Sequence, residues 1–196
     1  MVAYIYAADR KAERPDAHLG DFAGVLQVDG YGGFAALARR RQQVSLAFCW
    51  ARARRKLYEL ADSSPVTTEV LRRIASLSAN EEEVRGSPAD QRRAVRAERS
   101  RVIVDEFRQY LEARNRQVNA KSKLGEAIRY TFTCWDGLTR FLDDGRIDLD
   151  NNSAERAMRP ITISRSFCPC RPRRRGSPSL APLLREAFGA SISRSR

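Results

Sequence analysis

Two carboxylates occupy positions from which they could do chemistry. Asp29 follows the near-continuous apolar run Gly24-Val25-Leu26-Gln27-Val28 and precedes Gly30. A carboxylate that closes a buried strand is held rigidly by the backbone and emerges at the sheet edge, open to a ligand. Glu155 falls in the first turn of a predicted helix far along the chain, with Arg156 beside it. Brought together with a third acid, such groups can bind Mg2+, which takes hard oxygen ligands and keeps waters that substrate oxygens replace. Two ions ~3.5–4 Å apart stabilise the attacking and leaving oxygens of an in-line phosphoryl displacement. In that arrangement Asp29 bridges the ions and Glu155 holds the second. Both residues have structural alternatives. Asp29-Gly30 is also a turn signal, and Asn152-x-x-Glu155 has the form of a capping box. By spacing alone the turn and the cap are the favoured readings.

A second group is cationic. Arg52, Arg54, Arg55 and Lys56 fall within one short predicted helix, where side chains at helical spacing can grip phosphates. The alternative is a solvated helix face. Over the 196 residues, 36 Lys+Arg stand against 24 Asp+Glu, a net charge of +12. This balance favours a polyanionic partner, nucleic acid first. Arg outnumbers Lys 32 to 4, so a coding bias toward Arg competes with that explanation. Residues 161–196 alone carry eight Arg and one acid, Glu186. They would bind any polyanion nonspecifically and with strong salt dependence. None of Cys49, Cys134, Cys168 and Cys170 forms a CxxC pair, and the single His18 completes no familiar zinc set. Free thiols in a reducing cytoplasm are expected. No stretch approaches the ~20 apolar residues of a membrane span, and no basic leader precedes the first apolar run.

The elements that must position these groups change character along the chain. Residues 2–7 read as a strand, 8–21 as a polar loop with Pro15, 24–28 as a buried strand, 35–40 as a short helix, 44–50 as a third strand and 51–60 as a basic helix. That order predicts an α/β sheet with helices packed on it. After Asp62-Ser63-Ser64-Pro65 only helical patterns follow. Val70, Leu71, Ile74 and Leu77 mark one apolar face; Val95, Val102, Ile103, Phe107, Tyr110 and Leu111 a second; Leu124, Ile128, Phe132, Trp135, Leu138 and Leu142 a third. Ser87-Pro88-Ala89-Asp90 predicts a helix start with Ser87 as N-cap. The expected organisation is an α/β part over 1–62, a helical insertion over 63–143, a final helix within 144–163, and a disordered basic tail over 164–196.

Several segments, in order, carry a resemblance. They are Tyr4-Ile5-Tyr6-Ala7-Ala8-Asp9-Arg10-Lys11, the stretch from Phe22 to Tyr31, Phe48-Cys49-Trp50-Ala51-Arg52-Ala53-Arg54-Arg55-Lys56, Leu142-Asp143-Asp144-Gly145-Arg146, and the stretch from Asp150 through Glu155-Arg156 to Arg159-Pro160. Over residues 2–163 the chain resembles the insertion-sequence-66 family of bacterial transposases. The resemblance implies a partial ribonuclease H-like fold with a helical insertion. It implies a DDE site of three acids that uses Mg2+ to nick DNA at transposon ends and join the 3′ hydroxyl to a target. On this likeness Asp29 is the second acid and Glu155 the third, both as metal ligands. Arg52, Arg54, Arg55, Lys56, Arg156 and Arg159 become candidate DNA contacts, and other transposase subunits become candidate partners.

Three departures accompany the likeness. The family's first catalytic Asp lies on a strand before the segment that opens this chain, so truncation there is expected and with it little or no catalysis from the chain alone. Arg52 stands where the family has His. After Arg159-Pro160 the family's continuation gives way to Ser164-Arg165-Ser166-Phe167-Cys168-Pro169 and the arginine-rich tail, as a reading-frame shift near Ile163 would produce. The expected function is therefore that of a DDE transposase fragment. The alternatives are a noncatalytic DNA-binding or inert remnant, and a helical interaction protein with no DNA role.

Overall fold

The computed structural model describes residues 9, 11, 13–60, 64–157 and 191–193. The predicted strand over 2–7 and most of the predicted disordered tail lie outside them. The described residues form a mixed α/β chain that is mostly helical. They divide into two compact units, Met1–Leu46 with Asn151–Arg196, and Ala47–Asp150.

The first unit is built around a small sheet. β1 (Gly24–Val28) and β2 (Val44–Phe48) lie side by side and run parallel. The Gly24 N–H donates to the Gln43 carbonyl at 2.9 Å where the two strands begin. Parallel neighbours need a crossover, and α2 (Gly32–Arg40) supplies it. Its Phe34 and Leu37, three residues apart, are buried, as are Leu26 and Val28 of β1. The helix begins at Gly32, three residues before the apolar pattern predicted.

The polar stretch 8–21, expected as a loop, instead contains α1 (Glu13–Leu19). Pro15 sits in its first turn, where backbone N–H groups have no intrahelical acceptor, so the ring costs little. Asp16 then pairs with Arg40 and Arg41 at the end of α2. β3 (Ser191–Ser193) lies antiparallel on the other edge of β1, pairing Leu26 with Ile192. The edge of β1 presents unpaired backbone groups, and the extended backbone of Ser191–Ser193 satisfies them.

The second unit is helical. Its elements are α3 (Trp50–Tyr58), α4 (Pro65–Glu83), α5 (Ala89–Val95), α6 (Arg101–Asn115), α7 (Lys123–Thr133) and α8 (Trp135–Thr139). Ser64 caps α4 by accepting from the Val66 N–H at 3.2 Å, and Ser122 caps α7 by accepting from the Gly125 N–H at 3.0 Å. β2 ends at Phe48 and α3 begins at Trp50, so the predicted strand over 44–50 is two residues too long. Pro88, not Ser87, stands at the cap of α5, and no side chain caps that helix.

The predicted continuous helix from Ala89 through Leu111 is broken by a π-helical turn, Arg96–Ser100. The break falls where Arg96 is fully buried. Its Nε and Nη2 both donate to Glu81 on α4 at 2.6 Å, and its Nη1 donates to the carbonyls of Phe141 at 2.8 Å and Asp144 at 3.2 Å. Arg92 adds bonds to Asp148 at 2.8 Å and to Glu81 at 3.4 Å. These two arginines hold the segment 141–148 against α4 and α5. The turn at 143–146 comes so close that a Cβ on Gly145 would lie 1.7 Å from the Ala89 carbonyl oxygen.

Arg96→Ala is expected to destabilise the chain by ~3–5 kcal/mol in urea unfolding, because the Glu81 carboxylate is left buried without its partner. The double replacement Arg96→Met with Glu81→Leu should recover most of that loss; failure to recover would show that the cost is lost packing and not a stranded charge. Gly145→Ala should cost ~1–3 kcal/mol by overpacking against Ala89. A neutral Gly145→Ala in the same measurement would contradict the close approach.

Candidate nucleic-acid interface and acidic positions

Asp29 sits at the end of β1 as expected, 8% exposed. Gly30 follows at φ 94°, a left-handed backbone that glycine adopts without a Cβ clash, so the chain turns directly from strand to helix. The Asp29 Oδ1 accepts the Tyr31 backbone N–H at 3.2 Å. This is the short-range bond by which Asp builds a turn. The Tyr31 ring in turn meets Phe34 edge-on, with centroids 5.7 Å apart. The structural role considered for Asp29-Gly30 is thus present, and it orients the carboxylate.

Glu155 is exposed, in a helix over 152–157 that we label α9. Its N–H donates to the Asn151 carbonyl at 3.0 Å, the first intrahelical bond. Asn151 therefore stands at the cap position, and Asn152 is already helical. Glu155 is the fourth helical residue, one beyond where a capping box needs it. Asn151 is 1% exposed, while Glu155 and Arg156 both face solvent. Asp29 and Glu155 belong to the same compact unit. Arg159 lies outside the described residues.

Carboxylates are the hard oxygen donors that Mg2+ takes. Among the described residues, however, no group of three or more His, Cys, Asp or Glu is placed to hold a metal ion. One oxygen of Asp29 is already used by a backbone N–H.

The four cations of α3 separate by face. Trp50, Ala53 and Leu57 are buried and fix the helix to the core of its unit. Arg52 and Lys56, one turn apart, lie toward Tyr130 of α7. The Lys56 Nζ is 3.9 Å from the Tyr130 ring centroid, a cation–π contact. The pKa of the Tyr130 hydroxyl is pushed up to about 12, first by burial, then by the neighbouring Cys134, with Arg52 pulling the other way. Burial likewise raises the Cys134 thiol, against the hydrogen bond from Tyr130 and the charge of Lys56. Arg52 thus meets a phenol on α7.

Arg54 and Arg55 are exposed. The Arg54 guanidinium lies over the ring of Tyr58, 5.3 Å from its centroid. Neither residue has an ion pair among the described residues. Elsewhere in the helical unit most arginines are paired: Arg72, Arg73, Arg85, Arg92, Arg96, Arg99, Arg101, Arg108 and Arg146 each meet a carboxylate within 4 Å, whereas Arg93, Arg114, Arg116 and Arg129 meet none among the described residues. From Gly30 to Tyr58 the sequence holds no acid, and Glu59, which follows, is paired with neither arginine. Tyr58 and Tyr130 are companions of this helix that the sequence did not single out. The four-residue spacing from Arg54 to Tyr58 could have revealed the first. Nothing local could have revealed the second.

No helix among the described residues is long and apolar enough to cross a membrane. No solved structure matches the chain. Among curated proteins, the uncharacterized protein y4qI of Sinorhizobium fredii (strain NBRC 101917 / NGR234) is 43% identical over 173 residues, covering 84% of this chain and 32% of its own length. Two others from the same organism, the uncharacterized proteins y4hP and y4jD, are 36% and 37% identical, with 83% and 84% of this chain covered. The chain spans about a third of the length of these relatives. The family model described as "Transposase IS66 family" matches residues 1–176. With that model covering most of its length, the chain belongs to the IS66 family of transposases.

Proposed function

We propose that this chain is part of a DDE transposase and engages DNA through the exposed cations of α3. The observation that carries the reading is the uncompensated charge of Arg54 and Arg55 on a chain whose other helical arginines are largely neutralised by carboxylates. A polyphosphate backbone supplies the missing anions, and counterions released from it drive binding. Exposed Arg156 on α9 is a further candidate contact. Arg52 and Lys56 act differently in this reading. Their contacts with Tyr130 hold α3 to α7, and only part of their charge is offered to DNA.

Asp29 and Glu155 take the places of the second and third acids in a ribonuclease H-like site, with Mg2+ as the cofactor. Rigid placement at a strand end and exposure near a helix start support this for the two residues respectively. Strand cleavage and joining at insertion-sequence ends are proposed for a protein of the relatives' full length, acting with other subunits, and not for this stretch by itself. The engagement of Asp29 in the turn with Tyr31 favours one second reading, a noncatalytic DNA-binding remnant.

Duplex binding by the chain should weaken as salt rises. Each phosphate neutralised by a side chain adds ~0.9 to the steepness of log K against log[salt], so Arg54→Gln with Arg55→Gln should flatten that plot by about 2. An unchanged slope would remove α3 from the interface. Metal separates the two readings. Under the DDE reading, Mn2+ titrated into the chain binds, and Asp29→Asn and Glu155→Gln each abolish or strongly weaken that binding. If Mn2+ binding is absent or indifferent to both replacements while DNA binding persists in EDTA, the remnant reading replaces it.

A further inference from the structure

Tyr58 closes α3 and is 59% exposed. The only other exposed large apolar side chain among the described residues is Val102. The fold does not need the ring: Trp50, Ala53 and Leu57 already fill the buried face of α3. The ring is nevertheless not a loose surface group, because Arg54, one turn back, lies over it at 5.3 Å. Guanidinium and phenol make a cation–π pair that limits the ring's rotamers. The arrangement is a flat aromatic surface, held in place and preceded by Arg54 and Arg55, with no acid between Gly30 and Tyr58 and one, Glu59, directly after the ring.

We infer that Tyr58 and Arg54 form a stacking site for an unpaired nucleobase, with Arg54 and Arg55 taking the adjoining phosphates. The ligand class is single-stranded DNA, and the inference rests on the reading of this chain as a DNA-binding one. In a duplex each base face is covered by its neighbours, so an exposed ring gains nothing from it beyond the grooves and backbone. An unpaired base has an open π face, and an aromatic side chain stacks on it with little sequence preference. Cations alone would attract both forms of DNA. The aromatic member gives preference to the unpaired one.

The test uses the full chain with two fluorescent probes of one sequence, a short single strand and the matching duplex. Tyr58→Ala should weaken single-strand binding roughly 5- to 150-fold and leave duplex binding within about twofold. Tyr58→Phe keeps the ring and should bind the single strand as the unaltered chain does. A 2-aminopurine in the single strand should be quenched by the unaltered chain and by Tyr58→Phe, and not by Tyr58→Ala. Because the ring is exposed, all variants should share one thermal transition. Equal losses on both probes, no loss on either, or a Tyr58→Phe as poor as Tyr58→Ala would each overturn the stacking site. Duplex binding that responds to Arg54 and Arg55 but not to Tyr58, with single-strand binding equally indifferent to Tyr58, would overturn it while leaving the DNA reading standing. Failure of the unaltered chain to bind either probe would end both.

Discussion

The Trp50 indole fixes the elements on which the rest of the helical unit depends. It is 1% exposed, and its ring packs near Phe107 and Trp135, with centroids 5.8 and 6.2 Å away. A buried indole must place its one N–H on an acceptor, and here the Leu138 carbonyl takes it at 2.7 Å. The backbone N–H of the same residue donates to the Leu149 carbonyl at 3.1 Å. One side chain and one amide thus tie the first residue of α3 to two distant stretches of chain. The direction of α3 follows from that attachment, and so does which of its residues reach solvent. The stretch that accepts the second bond closes the helical unit at Asp150. The anchor therefore joins the first helix of that unit to its last residues.

Charge is managed differently in different parts of the molecule. The helical unit contains many arginines, and most of them meet carboxylates on neighbouring turns or neighbouring helices. Arg96 is the extreme case, removed from water entirely. Taking such a pair out of water costs several kcal/mol per ion, and the return comes only when all the donors are satisfied. Two bonds to Glu81 and two to backbone carbonyls engage four of its five N–H donors. A pair of this kind fixes which segments pack together more than it adds net stability. α3 follows the opposite rule. Its exposed arginines, Arg54 and Arg55, are left without carboxylates.

Asp29, at the end of β1, has the turn role that its sequence context offered: its carboxylate accepts the Tyr31 N–H. Glu155 went the other way: once the helix begins at Asn152, the capping box no longer fits, and the side chain is left in solvent.

The sequence by itself determined the local features. The apolar runs gave β1 and β2, the three-and-four spacing gave the faces of α4, α6 and α7, and the family likeness rested on short contiguous motifs. These are legible because each depends on neighbours a few residues apart, through backbone propensity and side-chain period. Misses came where a local rule had an exception, as with Pro15 in the first turn of α1 or the π turn inside a run that reads as one helix. Only the tertiary structure decided which cations are neutralised and which are left to solvent. Arg96 and Arg55 look alike in the sequence, yet one is sealed against Glu81 and two carbonyls while the other faces water. Lys56 likewise sits over a tyrosine 74 positions further on. The physical reason is that a charge is neutralised through space, by whatever the fold brings within a few ångströms, and separation along the chain does not encode that distance.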